Sequence, residues 1–106
     1  IINKELSANI VVEANDWLAI EDINPQAPIH VLIVPKKHFT DFEEVSESDA
    51  QLLGRLLSAA NQVARKLNLD KGFRLIINHG EDGGQMVPHF HIHLLGGKRL
   101  GAKIVN

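Results

Sequence analysis

Two different spacings of hydrophobic residues divide the chain. From Ser48 to Leu67 the apolar positions Leu52, Leu53, Leu56, Leu57, Ala60, Val63, Ala64 and Leu67 recur at three- and four-residue intervals, which is the signature of one buried helical face. Ser48 with Gln51 three residues on reads as a capping-box start, and the helix is expected to end before Gly72. Elsewhere the apolar runs are short and β-prone. Residues 10–13 (IVVE) and 17–21 (WLAIE) flank a hairpin connection, Ala14-Asn15-Asp16. The run 30–34 (HVLIV) stops at Pro35, which has no N–H to continue a ladder. Residues 73–78 (FRLIIN) and 89–95 (HFHIHLL) read as two further strands joined by the glycine-rich stretch HGEDGGQMVP. No repeat or linker-like tract interrupts residues 1–106, so one domain is expected. Its predicted class is α+β, an antiparallel sheet with one main helix packed on a face.

Composition narrows the function classes. At 106 residues and 44% hydrophobic, the chain can bury a core without disulfide or metal support. Eleven basic and thirteen acidic side chains leave a net charge of -2, which is not the electrostatic footprint of a nucleic-acid binder. The absence of cysteine excludes a disulfide framework and thiolate metal sites. No apolar run approaches the roughly 20 residues that span a bilayer. The opening segment IINKELSANI lacks the basic flank and apolar core of a secretory signal. A cytoplasmic protein with neither nucleic-acid nor membrane partners is therefore expected. Because it opens on Ile1 rather than Met, further N-terminal residues are expected to precede it.

The segment from His89 to Leu95 carries the most chemistry. If it is a strand throughout, His89, His91 and His93 project from one face and Phe90, Ile92 and Leu94 from the other, with same-face neighbours about 6.5–7 Å apart. Three readings fit that spacing. The imidazoles could hold a catalytic zinc with an open fourth position, act together on one phosphate, or form a polar face without chemistry. The preceding loop favours phosphate, since Gly80, Gly83 and Gly84 permit close backbone approach and can turn several N–H groups toward an anion. A connection between strands would also use such glycines.

HFHIHLL resembles the His-φ-His-φ-His-φ-φ motif, φ being apolar, that names the histidine-triad (HIT) family. DINPQAPIHVLIVPKKH, GFRLIINHGEDGGQMVPH and the final LLGG extend the resemblance over nearly the whole chain, and Gly96-Gly97 is similar to the nucleotide-binding-protein (Hint-like) branch. The resemblance implies a HIT-like α+β fold whose sheet extends across a homodimer. It also implies hydrolysis of purine nucleoside phosphoramidates to AMP and an amine, with no metal or other cofactor required. By position, His91 matches the nucleophile, His93 the residue beside it that contacts phosphate, and His89 and His30 supporting histidines. Asp22 and Ile23 match nucleoside-binding positions, and Asn78, Gly84, Gln85 and Met86 the phosphate-binding set. Read without the resemblance, Asp22 and Asn78 are turn residues and His30 a core histidine; His38 is read as structural or supporting. Two departures stand out. Met86 occupies a position where many members carry Ser or Thr, and its thioether cannot donate a hydrogen bond. The tail after Leu100, GAKIVN, lacks the aromatic residue of some relatives, which bears on the leaving groups accepted.

Overall fold

The computed structural model describes residues 9–102 and 104. Most of the segment read for a secretory signal, residues 1–8, lies outside the described residues, as do 103, 105 and 106 of the tail. Five strands form one antiparallel sheet: β1 (Ile10–Glu13), β2 (Trp17–Glu21), β3 (Ile29–Pro35), β4 (Phe73–Ile76) and β5 (Ile92–Gly96), in the order β1-β2-β3-β5-β4. The helix α1 (Ala50–Lys66) crosses one face. This is the α+β architecture that the two periodicities predict.

The helix buries Leu52, Leu56, Ala59, Ala60, Val63 and Ala64 against Trp17, Ala19, Val31, Ile33, Ile92 and Leu94 of the sheet. Three alanines in that stripe keep the helix close to the strands. The other sheet face carries a smaller buried cluster, Leu18, Ile20, Leu32 and Val34, and no helix of the described residues covers it. The apolar floor that this leaves is where the site forms.

The helix ends differ in how well the sequence shows them. At the C-terminus Asn68 adopts a left-handed φ of 62°, Leu69 N–H donates to the Ala64 carbonyl at 2.9 Å and Asn68 N–H to that of Arg65 at 3.2 Å, a Schellman arrangement. At the N-terminus the capping pair is not Ser48 with Gln51. Residues 47–49 form a 3₁₀ turn ahead of α1, and the capping box joins Ser46 with Asp49. The buried Asp49 carboxylate accepts the Ser46 N–H at 2.9 Å and pairs with the Lys37 ammonium at 2.7 Å. The Ser48 hydroxyl is taken up by that of Ser46 at 2.8 Å.

The triad strand is also shorter than its alternation predicts. Its pairing with β3 begins at Ile33 opposite Ile92, and extending that register would set Phe90 against Pro35, which has no N–H to donate. Phe90 N–H turns instead to the Phe39 carbonyl, and His89 N–H to that of Val87, each at 2.8 Å. His89 and His91 therefore precede the strand, and the three imidazoles do not share one strand face. β4 likewise stops at Ile76, leaving Ile77 and Asn78 as the exit toward the glycine loop.

Candidate active site

The sheet register brings two histidines together from strands distant in sequence. Leu32 of β3 stands opposite His93 of β5, so His30, two residues from Leu32 on the same face, is a diagonal neighbour of His93. His30 Nε2 and His93 Nδ1 are 2.9 Å apart. The His91 ring completes the group, with its centroid 4.8 Å from that of His93 and its plane turned by 70°.

A main-chain carbonyl orients His91. Its Nδ1 lies 2.6 Å from the carbonyl oxygen of His89. A carbonyl can only accept, so Nδ1 carries the proton of the neutral ring and Nε2 holds an unshared pair. His89 serves the group through its backbone, because its own ring turns elsewhere: Nε2 donates to the Pro35 carbonyl at 3.2 Å and the ring lies 5.2 Å from that of His38.

These groups line a cavity of about 520 Å³, within the size range of small-ligand sites. It is lined by Ile20 and Leu32 of the sheet floor, by Asp22 and Ile23 after β2, by Asn78, Gly84 and Met86 of the segment after β4, and by His30, His91 and His93. Of the residues expected from the sequence, eight therefore meet at one cavity, and His89 and Gln85 do not line it. Gln85 braces the loop instead. Its side-chain oxygen accepts the Gly80 N–H at 3.0 Å while its amide donates to the carbonyls of Thr40 and Val87 at 2.9 and 3.1 Å.

The loop N–H groups are also committed differently from expectation. Those of Gly80, Gly84 and Gln85 all donate within the loop. The Met86 N–H, next along, has no acceptor among the described residues. Gly84 contributes a left-handed turn, φ +78°, and an open wall. Gly83 is needed for closeness, since a Cβ there would stand 2.4 Å from the His79 carbonyl oxygen. Met86 lines the cavity and is 90% exposed.

Burial keeps the supporting imidazoles neutral. Loss of hydration pushes His93 down to about 4, helped by His91 and His30 and opposed by Asp22. Burial also lowers His30, against the pull of the Asp22 carboxylate 3.4 Å away, and lowers His89. The zinc arrangement imagined for His89, His91 and His93 is not formed, because His89 points away. Among the described residues, ligand atoms of Asp22, His30 and His93 lie within 4.8 Å of one another. In this structure His30 and His93 use ring nitrogens to bond each other.

Leu32, Asn24 and Gln26, not expected from the sequence, also line the cavity. Leu32 was recoverable, since it alternates with His30 along β3. Asn24 and Gln26 lie in an irregular turn that no periodicity describes.

A sequence model of the HIT domain matches residues 3–100. An uncharacterised HIT-like protein of Synechocystis is 47% identical over 98 residues, covering 92% of this chain and 86% of the relative. A protein of Brassica juncea described as a 14 kDa zinc-binding protein is 43% identical over 102 residues, covering 94% and 90%. A HIT family hydrolase from Clostridium thermocellum superposes with a TM-score of 0.90 at 50% identity, over 96% of this chain and 90% of that one.

Proposed function

The chain belongs to the HIT family, and from that premise we propose that it is a Hint-like hydrolase of purine nucleoside phosphoramidates acting through a transient adenylyl group on His91. The observation that carries the reading is the 2.6 Å contact of His91 Nδ1 with the His89 carbonyl, which leaves Nε2 as the nucleophile of a ring that lines the cavity. The ribose sits by Asp22 and the base against Ile23 and the floor of Ile20 and Leu32. Asn78, His93 and the main chain at Gly84 and Met86 surround the phosphate.

In the first step the Nε2 pair forms a bond to phosphorus as the P–N bond breaks, and the departing nitrogen leaves as the amine with a proton it already carries in the substrate or takes from a neighbouring histidine. Water then attacks the adenylyl-imidazole, releasing AMP and restoring the free ring. Hydrogen-bond donors around the phosphoryl oxygens stabilise the charge that develops there. With Met86 in place of a hydroxyl, that duty falls to the main-chain N–H and to His93.

The test mixes chelator-treated protein with an adenosine phosphoramidate, follows AMP release and quenches early samples for intact mass. AMP release with a transient adenylyl adduct is expected. Tight AMP binding without release would make the protein a binding module, and activity returning only with zinc would assign the histidines to a metal.

Gly83→Ala is expected to weaken AMP binding by about tenfold, because the added methyl meets the His79 backbone and the loop must move. Calorimetric titration giving wild-type affinity would remove the loop from the phosphate site.

The functional unit is proposed to be a homodimer. β4 is an edge strand among the described residues, and Leu75 on it and Leu57 on α1 are exposed at 36% and 53%. A second copy paired along β4 would extend the sheet and cover the strand edge. Light scattering is expected to give twice the 11.7 kDa chain mass; the single-chain mass at assay concentration would exclude the dimer.

A further inference from the structure

Gln26 stands in the turn between β2 and β3, and its main-chain N–H lies 3.0 Å from His30 Nδ1. A backbone N–H can only donate, so His30 Nδ1 is an acceptor and the single proton of the neutral ring sits on Nε2. That Nε2 is 2.9 Å from His93 Nδ1. With the proton on the His30 side, His93 Nδ1 must accept, and its own proton is fixed on Nε2. The same turn supplies a second constraint, because the Asp22 carboxylate, 3.4 Å from His30 Nε2, can only accept. Its other oxygen already holds the Asn24 N–H at 2.7 Å. His93 Nε2 bonds no described residue, and His93 lines the cavity.

We propose that the main-chain N–H of Gln26 is a positioning group. By occupying His30 Nδ1 it sets the tautomer of His30 and, through it, that of His93, so that His93 presents an N–H rather than a lone pair to the phosphoryl oxygen. A chain of two imidazoles has two self-consistent proton arrangements, and they differ in whether its end donates or accepts. The phosphate needs a donor. A donor that cannot reverse, placed at the far end, removes the wrong arrangement without adding charge to the cavity. The Gln26 side chain is not part of this device: its amide turns to the Asn24 carbonyl at 3.2 Å.

The proposal rests on the phosphoramidase reading only for its catalytic consequence; the proton positions can be measured without turnover. Long-range proton–nitrogen NMR spectra of protein labelled with ¹⁵N-histidine are expected to show His30 and His93 protonated at Nε2, and His91 with the opposite pattern. A proton on Nδ1 of His30 or His93 at neutral pH would overturn the proposal. Gln26→Pro removes the N–H, whereas Gln26→Ala keeps it. The proline variant is expected to show mixed tautomers at His30 and His93 and a kcat lower by about tenfold with KM little changed; the alanine variant keeps the wild-type spectrum. A folded Gln26→Pro protein with unchanged His93 tautomer also overturns it. If that variant does not fold, the wild-type spectra decide. If the wild type shows the expected tautomers but no turnover, the enzymatic reading fails and the tautomer device stands.

Discussion

His91→Ala is expected to lower phosphoramidate turnover by about 10⁴-fold or more, to abolish the adenylyl adduct, and to leave a folded protein that still binds AMP. The size follows from the role proposed for His91: with no Nε2 pair, the proposed reaction loses its nucleophile and not merely one of several contacts. Folding survives because the buried ring lines the cavity outside the hydrophobic core, packed on His93 and bonded to one carbonyl, while the Phe90 and Ile92 side chains beside it remain in the core. Asn78, Gly84 and Asp22 still line the cavity, so AMP affinity should change far less than turnover. Activity near the wild-type level would remove His91 from the chemistry. Loss of turnover together with loss of AMP binding would point to collapse of the cavity instead.

The second large effect is on stability. Between about pH 7.5 and about pH 4.5 the His93 site alone is expected to reduce unfolding free energy by about 2–3 kcal/mol. The sign comes from burial. His93 is held at about 4 in the folded protein against an ordinary value of 6.5, so below the ordinary value the unfolded chain takes up a proton that the folded one refuses. Stability is thus fully present above about 6.5 and drains away as pH falls toward 4. His30 and His89, also lowered by burial, act in the same direction. Asp49, lowered by its bonds to Lys37 and Ser46, contributes only as pH falls through the carboxylate range. Urea denaturation at the two pH values should show the fall, and His93→Gln should reduce it. Equal stability at both values would contradict the buried neutral imidazoles.

Both predictions depend on contacts that sequence patterns record unevenly. The helix and β1, β2 and β3 were legible because each follows one period and is punctuated by turn residues or proline. The alternation at His89-Phe90-His91 was misleading for a specific reason: a strand pattern needs a partner, and Pro35 ends the pairing at that point. The capping box lies two residues earlier than read, because Ser46 and Asp49 have the same local spacing as Ser48 and Gln51, and Asp49 also pairs with Lys37.

The sequence by itself determined the two apolar periods, and hence a sheet with one helix. It also determined the histidine-rich motif and the glycine-rich loop before it. These are local properties, dictated by side-chain spacing and by backbone freedom at single residues. Only the tertiary structure decided which histidines meet, since the 2.9 Å pairing of His30 with His93 depends on the register of β3 against β5. It alone sent the His89 ring toward Pro35, put its carbonyl on His91, and placed the Gln26 N–H on His30. Proton positions depend on what each ring nitrogen faces, and in a folded chain that is decided by residues far apart in sequence.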